Sequence, residues 1–214
     1  MADSCEFMLQ ILGKSTSLNV RKVLWLCQEL ELPYELQQWG SGHQATDTPQ
    51  FRALNPNALV PVIRDGAFVL WESNAICRYL AAARGRSDLL PASPQDRARV
   101  EQWMDWQATE LNNSWRYAFL SLVRRSPAHT DAQAVAASVS NWNRHMTMLD
   151  EQLGRTGAFA AGPQFTLADI VLGLATHRWF MTPLQRPGLS AVTDYYERLS
   201  QRPGFLAHGR NGVP

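Results

Sequence analysis

The hydrophobic pattern changes its period at Pro94, and that switch constrains the fold more than any other feature. Upstream, short apolar runs alternate with helical stripes; downstream, each amphipathic stretch repeats at helical spacing and none reads as a strand. At 214 residues the chain is long for one compact domain and comfortable for two small ones. The pattern predicts domains at residues 1–84 and 94–214, joined by a linker that carries Gly85, Pro91 and Pro94.

In the first half, residues 7–12 form a compact apolar run ending at Gly13, as a buried strand would. Val20, Val23, Leu24, Cys27 and Leu30 then make a helical stripe, which Pro33 stops. Residues 34–38 alternate like a half-buried strand, and a polar loop leads to a short helix ending near Leu54. Residues 60–64 and 67–70 read as two strands around Asp65-Gly66, a strong hairpin signal. A helix starts near Glu72. The order βαβαββα suits a mixed sheet covered by helices. In the second half, residues 98–123, 131–153, 166–179 and 190–200 predict an all-helical domain.

Several function classes are disfavoured at once. Twenty basic and 19 acidic side chains leave a net charge of +1, unlike a binder of nucleic acid or anionic membrane. No run approaches the roughly 18 apolar residues of a membrane span, and the first residues lack the pattern of a signal peptide. Three scattered cysteines, Cys5, Cys27 and Cys77, read as reduced thiols of a cytoplasmic protein. Five scattered histidines show no metal-ligand spacing, so no metal is expected.

Four polar clusters are candidate sites, and each has a structural alternative. Ser15-Thr16-Ser17-Leu18-Asn19 precedes the first helix, where such residues cap backbone N–H groups. The same helix start favours an anion, such as a thiolate. In the stretch Asn55-Pro56-Asn57-Ala58-Leu59-Val60-Pro61-Val62, Pro61 opens a strand with a residue that lacks a ladder N–H. It suits an edge strand, or a cis bond that turns the Val60 backbone outward to pair with an extended peptide. Glu72-Ser73 at the third helix start is either a cap or a recognition pair, with Ser73 taking a carboxylate and Glu72 an ammonium. Thr166-Leu167-Ala168-Asp169 matches a capping box with Asp in the Glu/Gln place, and is read as structural.

In this order, Ser-x-Asn, Val-Pro-Val, Glu-Ser and Thr-Leu-Ala-Asp resemble the cytosolic glutathione transferases over essentially the whole chain. The resemblance implies a thioredoxin-like domain holding glutathione as co-substrate, and a helical domain forming the pocket for a small hydrophobic electrophile. It implies that Val60, before a cis Pro61, pairs with the cysteinyl backbone of glutathione. Glu72 and Ser73 would hold the γ-glutamyl end. With no Tyr or Cys after the first strand, the chain looks like the serine-type and bacterial asparagine-bearing branches, theta- or nu-like. Ser17 then aligns with the activating hydroxyl and Asn19 with the assisting amide, with Ser15 and Thr16 as neighbouring competitors.

Trp115, Tyr117 and Phe119 lie in the long fourth helix, and Trp115 is the candidate for lining the electrophile pocket. Trp103 and Trp106, one turn apart, are expected in the core. His43 and Gln44, in the loop between Gly40 and Pro49, are the candidates for the glycine carboxylate of glutathione, and the resemblance does not choose between them. The resemblance further implies a homodimer. Two rivals stay open: a glutathione-dependent disulfide reductase or peroxidase, and a non-catalytic interaction module on the same fold.

Overall fold

The computed structural model describes residues 8–214. Cys5, Phe7 and the N-terminal segment read above lie outside them. The chain divides into two compact units, one ending at Arg86 and the other starting at Ser87.

The first unit runs β1 (Leu9–Gly13), α1 (Leu18–Glu29), β2 (Tyr34–Gln38), α2 (Pro49–Arg52), β3 (Val62–Asp65), β4 (Phe68–Trp71) and α3 (Ser73–Ala83). The sheet order is β2-β1-β3-β4. β1 and β2 are parallel, while β3 runs antiparallel to both β1 and β4. This is the expected βαβαββα mixed sheet. The hairpin turn is Gly66-Ala67 rather than Asp65-Gly66, because Asp65 still pairs with Phe68 in the ladder. Gly66 takes the positive φ of 59°.

α1 forms where the helical stripe predicted it. It buries Val20, Val23, Leu24, Trp25 and Cys27, and packs against α3. Gly13 lets this helix start close to the sheet: a Cβ there would lie 2.5 Å from Val20 Cγ2. A larger residue at position 13 would push the helix mouth away from the strand end.

The second unit is helical: α4 (Pro94–Trp106), a π-helical turn (Gln107–Leu111), α5 (Asn112–Leu122), α6 (Ala132–Thr156), α7 (Leu167–Met181), α8 (Ser190–Leu199) and α9 (Pro203–His208). The helix expected at 98–123 is thus two α segments joined through a wide turn. α9 was not foreseen. α7 is buried from Leu167 to Trp179, the mark of a helix at the centre of a core, with α4 and α8 packed on it. The capping box is present at its start. Asp169 accepts from Ala160 N–H at 3.0 Å, Thr166 N–H at 2.8 Å, Thr166 Oγ1 at 3.2 Å and Tyr195 OH at 3.0 Å. Its complete burial still pushes the carboxyl pKa up to about 6. Among the described residues no helix is long and apolar enough to cross a membrane.

Candidate active site

Strand register decides where the candidate residues of the first unit meet. Leu12 on β1 pairs with Val62 on β3, and Val62 pairs with Trp71 on β4. These three form one row across the sheet, at the end where β1 leaves, β3 enters and β4 leaves. Immediately beyond that row lie residues 14–19, Val60-Pro61 and Glu72-Ser73. Three segments far apart in sequence therefore share one end of the sheet.

Ser17 is the N-cap of α1 by backbone geometry, with φ −80° and ψ 124°, but its side chain makes no capping hydrogen bond. The first turn carries no acidic residue. Ser17 is half-buried and Asn19 exposed. The first N–H groups of the helix are thus not closed by this side chain, an arrangement that favours an anion. Ser15 and Thr16 form the exposed turn before it.

The Val60–Pro61 peptide bond is cis. Strand pairing begins at Val62, which leaves the Val60 main chain outside the ladder. Val60 packs against Leu12, Phe51 and Val62, with Trp39 and Trp71 around the same cluster. Buried Asn55 shapes the preceding loop: its Nδ2 donates to Leu59 O at 2.7 Å. Its Oδ1 accepts from Asn57 N–H at 3.0 Å. From sequence Asn55 stands only as the first residue of the candidate stretch, with no role of its own; the signal for one is an Asn opening a turn ahead of a proline.

Glu72 adopts φ 73° and ψ 108°, a conformation unusual for a residue with a side chain. Such a backbone costs about 1–3 kcal/mol and is concentrated at ligand-binding positions. The residue is exposed, and Ser73 after it is buried as the first residue of α3. Lys22 Nζ donates to Asn74 Oδ1 at 3.2 Å, tying α1 to the start of α3. The two helix mouths that hold the candidate residues are held to each other.

Beside them, the loop after β2 is anchored by Trp39 N–H to Gly13 O at 3.2 Å and Gly40 N–H to Gln44 O at 2.8 Å. Lys14 Nζ donates to Ser41 O at 3.1 Å. His43 and Gln44 are exposed on this loop. Cys27 and Cys77 are free and buried, and burial pushes both thiols up to about 12. Neither is a nucleophile at neutral pH.

In the second unit, half-buried Trp115 donates from Nε1 to Asn112 Oδ1 at 3.1 Å. Gln107 Nε2 reaches the same oxygen at 2.9 Å. Phe119 meets the Trp115 ring edge-on at 5.4 Å, and the Arg178 guanidinium lies 4.5 Å from its centroid. Trp103 and Trp106 do not join the core. They are half-buried and line a cavity of about 400 Å³ with Arg99, Met148 and Arg155. Among the described residues no cluster of three or more His, Cys, Asp or Glu could hold a metal ion.

Glutathione S-transferase GstB of Escherichia coli K12 is 38% identical over 205 residues, covering 92% of this chain and 95% of the relative. The chain belongs to the glutathione S-transferase family. The family model for the glutathione S-transferase N-terminal domain matches residues 16–83, and that for the C-terminal domain matches residues 132–198. A theta-class glutathione S-transferase of Xanthomonas axonopodis pv. citri, solved with glutathione bound, superposes with a TM-score of 0.89 at 36% identity. That match covers 97% of this chain and 99% of the other. The thioredoxin-like description of the first unit follows from this kinship. Elongation factor 1-gamma 3 of Oryza sativa is 29% identical over 197 residues, but only 46% of its length is covered.

Proposed function

We propose that this glutathione S-transferase binds glutathione at the shared end of the sheet and directs its thiolate at small hydrophobic electrophiles. The observation that carries the reading is the Leu12–Val62–Trp71 row, with a candidate segment adjoining each of its strands. Val60 offers an unpaired main-chain edge to the cysteinyl residue of glutathione, in the manner of an added strand. Ser73 and the α3 mouth take the γ-glutamyl carboxylate, and Glu72 takes its ammonium. Ser17 and Asn19 donate to the sulfur. Residues 1–84 act as the glutathione domain, and residues 94–214 supply the electrophile wall at Trp115. The enzyme works as a cytoplasmic homodimer.

The energetics are modest. A thiol of pKa about 8.5 is roughly 3% thiolate at pH 7. Lowering it by two units, about 2.7 kcal/mol, makes it roughly three-quarters thiolate. One or two hydrogen bonds to the charged sulfur, together with the helix dipole, supply that much. Ultraviolet titration of the bound thiolate tests the assignment. Ser17→Ala with Asn19→Ala is expected to raise its pKa, and an unchanged titration would remove both residues from the mechanism.

The match to elongation factor 1-gamma gives the interaction-module reading its one support. Failure of the protein to bind immobilised glutathione would favour that reading. Parallel assays with hydroxyethyl disulfide and an aryl halide separate transfer from disulfide reduction.

A further inference from the structure

Lys22 is 1% exposed, and the reaction proposed above gives it no part. It lies on α1 three residues after Asn19, and so is its neighbour along the helix surface. Its Nζ donates at 3.2 Å to Oδ1 of Asn74, which is also buried and follows Ser73 in the first turn of α3. The same charge is felt at Cys77, one turn further along α3. Burial raises that thiol, and the Lys22 ammonium works against the rise, as does Arg78. Lys22 thus underlies the opening turn of α3. That turn holds no acidic residue, and Glu72 at its N-cap makes no side-chain capping bond.

Fastening two helices does not call for a lysine. A Met or Leu would fill the space between α1 and α3 without the cost of taking an ammonium out of water. What lysine adds is direction and charge. An ammonium only donates, so the bond turns the oxygen of the Asn74 amide toward α1 and its NH2 group away. A cation beneath a helix mouth also adds to the positive end of the dipole, a pairing that is repulsive by itself and is relieved by an anion. We infer that Lys22 is a positioning residue: through Asn74 it fixes the mouth of α3 for the carboxylate of the γ-glutamyl end, and so selects glutathione over thiols that lack that group. The inference rests on the reading of Ser73 as the γ-glutamyl site.

Two analogues of glutathione provide the test. 4-Aminobutyryl-cysteinylglycine lacks the carboxylate and keeps the ammonium, while glutaryl-cysteinylglycine lacks the ammonium and keeps the carboxylate. Calorimetry gives the preference for glutathione over each analogue, a ratio taken within one variant and so insensitive to its stability. The unmodified protein is expected to prefer glutathione to the aminobutyryl analogue by about tenfold or more, the effect of one hydrogen bond to a charged group. Lys22→Met is expected to cut that preference about threefold or more, and Lys22→Arg to keep part of it, while the preference over the glutaryl analogue moves less than about twofold. In the Asn74→Ala background, Lys22→Met should add little, because the two residues act as one unit. A preference over the aminobutyryl analogue unmoved by Lys22→Met, an equal fall in both preferences, or a full Lys22→Met effect without Asn74 overturns the inference and leaves glutathione binding standing. If Lys22→Met does not fold, Asn74→Ala decides, and a preference it leaves intact overturns the inference. Failure of the unmodified protein to bind glutathione overturns the transferase reading as well.

Discussion

The starts of α1 and α7 use the same residue types for opposite ends. At α7, Thr166 and Asp169 close the helix with their own side chains, and Asp169 gathers donors from Ala160, Thr166 and Tyr195 in a fully buried setting. At α1, Ser17 holds the N-cap position without making the bond that position normally supplies, and Asn19 is exposed. A closed mouth serves folding. An open one is available to something that is not protein.

The largest expected effect lies at the closed mouth. Asp169→Ala leaves buried donors without an acceptor, each worth about 1–3 kcal/mol, so unfolding free energy in urea should fall by roughly 3 kcal/mol or more. Next comes the open mouth: removing both Ser17 and Asn19 should raise the pKa of bound glutathione by as much as about two units and, by the same linkage, weaken its binding about fourfold at pH 7. Ser73→Ala should weaken glutathione binding about tenfold in calorimetry, a loss of about 1.4 kcal/mol, with less effect on the rate once glutathione is bound.

The pH dependence of stability sharpens the contrast further. Because burial raises the Asp169 carboxyl to about 6, its contribution to stability is fully present below its unfolded value and is lost as pH rises through 6. Thermal melts from pH 4 to 8 should show the advantage of the native protein over Asp169→Asn shrinking as pH rises. An advantage that grew instead would mean that the four donors outweigh desolvation. The smallest effect is expected from Ser17→Ala alone: a stability change within about 0.5 kcal/mol, against the 0.5–2 kcal/mol typical of a working cap. A loss of 1 kcal/mol or more would make Ser17 an ordinary cap and erase the distinction between the two mouths.

What sequence could reveal follows from how local each signal is. Period and breakers placed the strand at Tyr34–Gln38 to the residue, and the capping pattern marked Thr166. The hairpin turn was displaced by one residue, because a turn dipeptide does not say whether Asp65 belongs to the turn or to the ladder. α9 escaped notice because six residues carry too little periodicity. The same spacing that put Trp103 and Trp106 on one face could not say whether that face was covered. In the site, residue types were legible but conformations were not. Glutamate gives no hint of the positive φ that Glu72 adopts, and the bonds of Asn55 depend on a loop closed by Leu59 and Asn57.

The widened turn at Gln107–Leu111 carries an extra residue inside an otherwise continuous rod. In a regular helix each residue turns the side chains by about 100°. The wide turn spreads nearly the same rotation over one residue more, so the surplus is absorbed locally and Trp115 and Phe119 keep the phase they would have on an unbroken rod. A lineage carrying this fold can thus gain or lose one codon at this turn while α4 keeps its seat on α7 and α5 its facing.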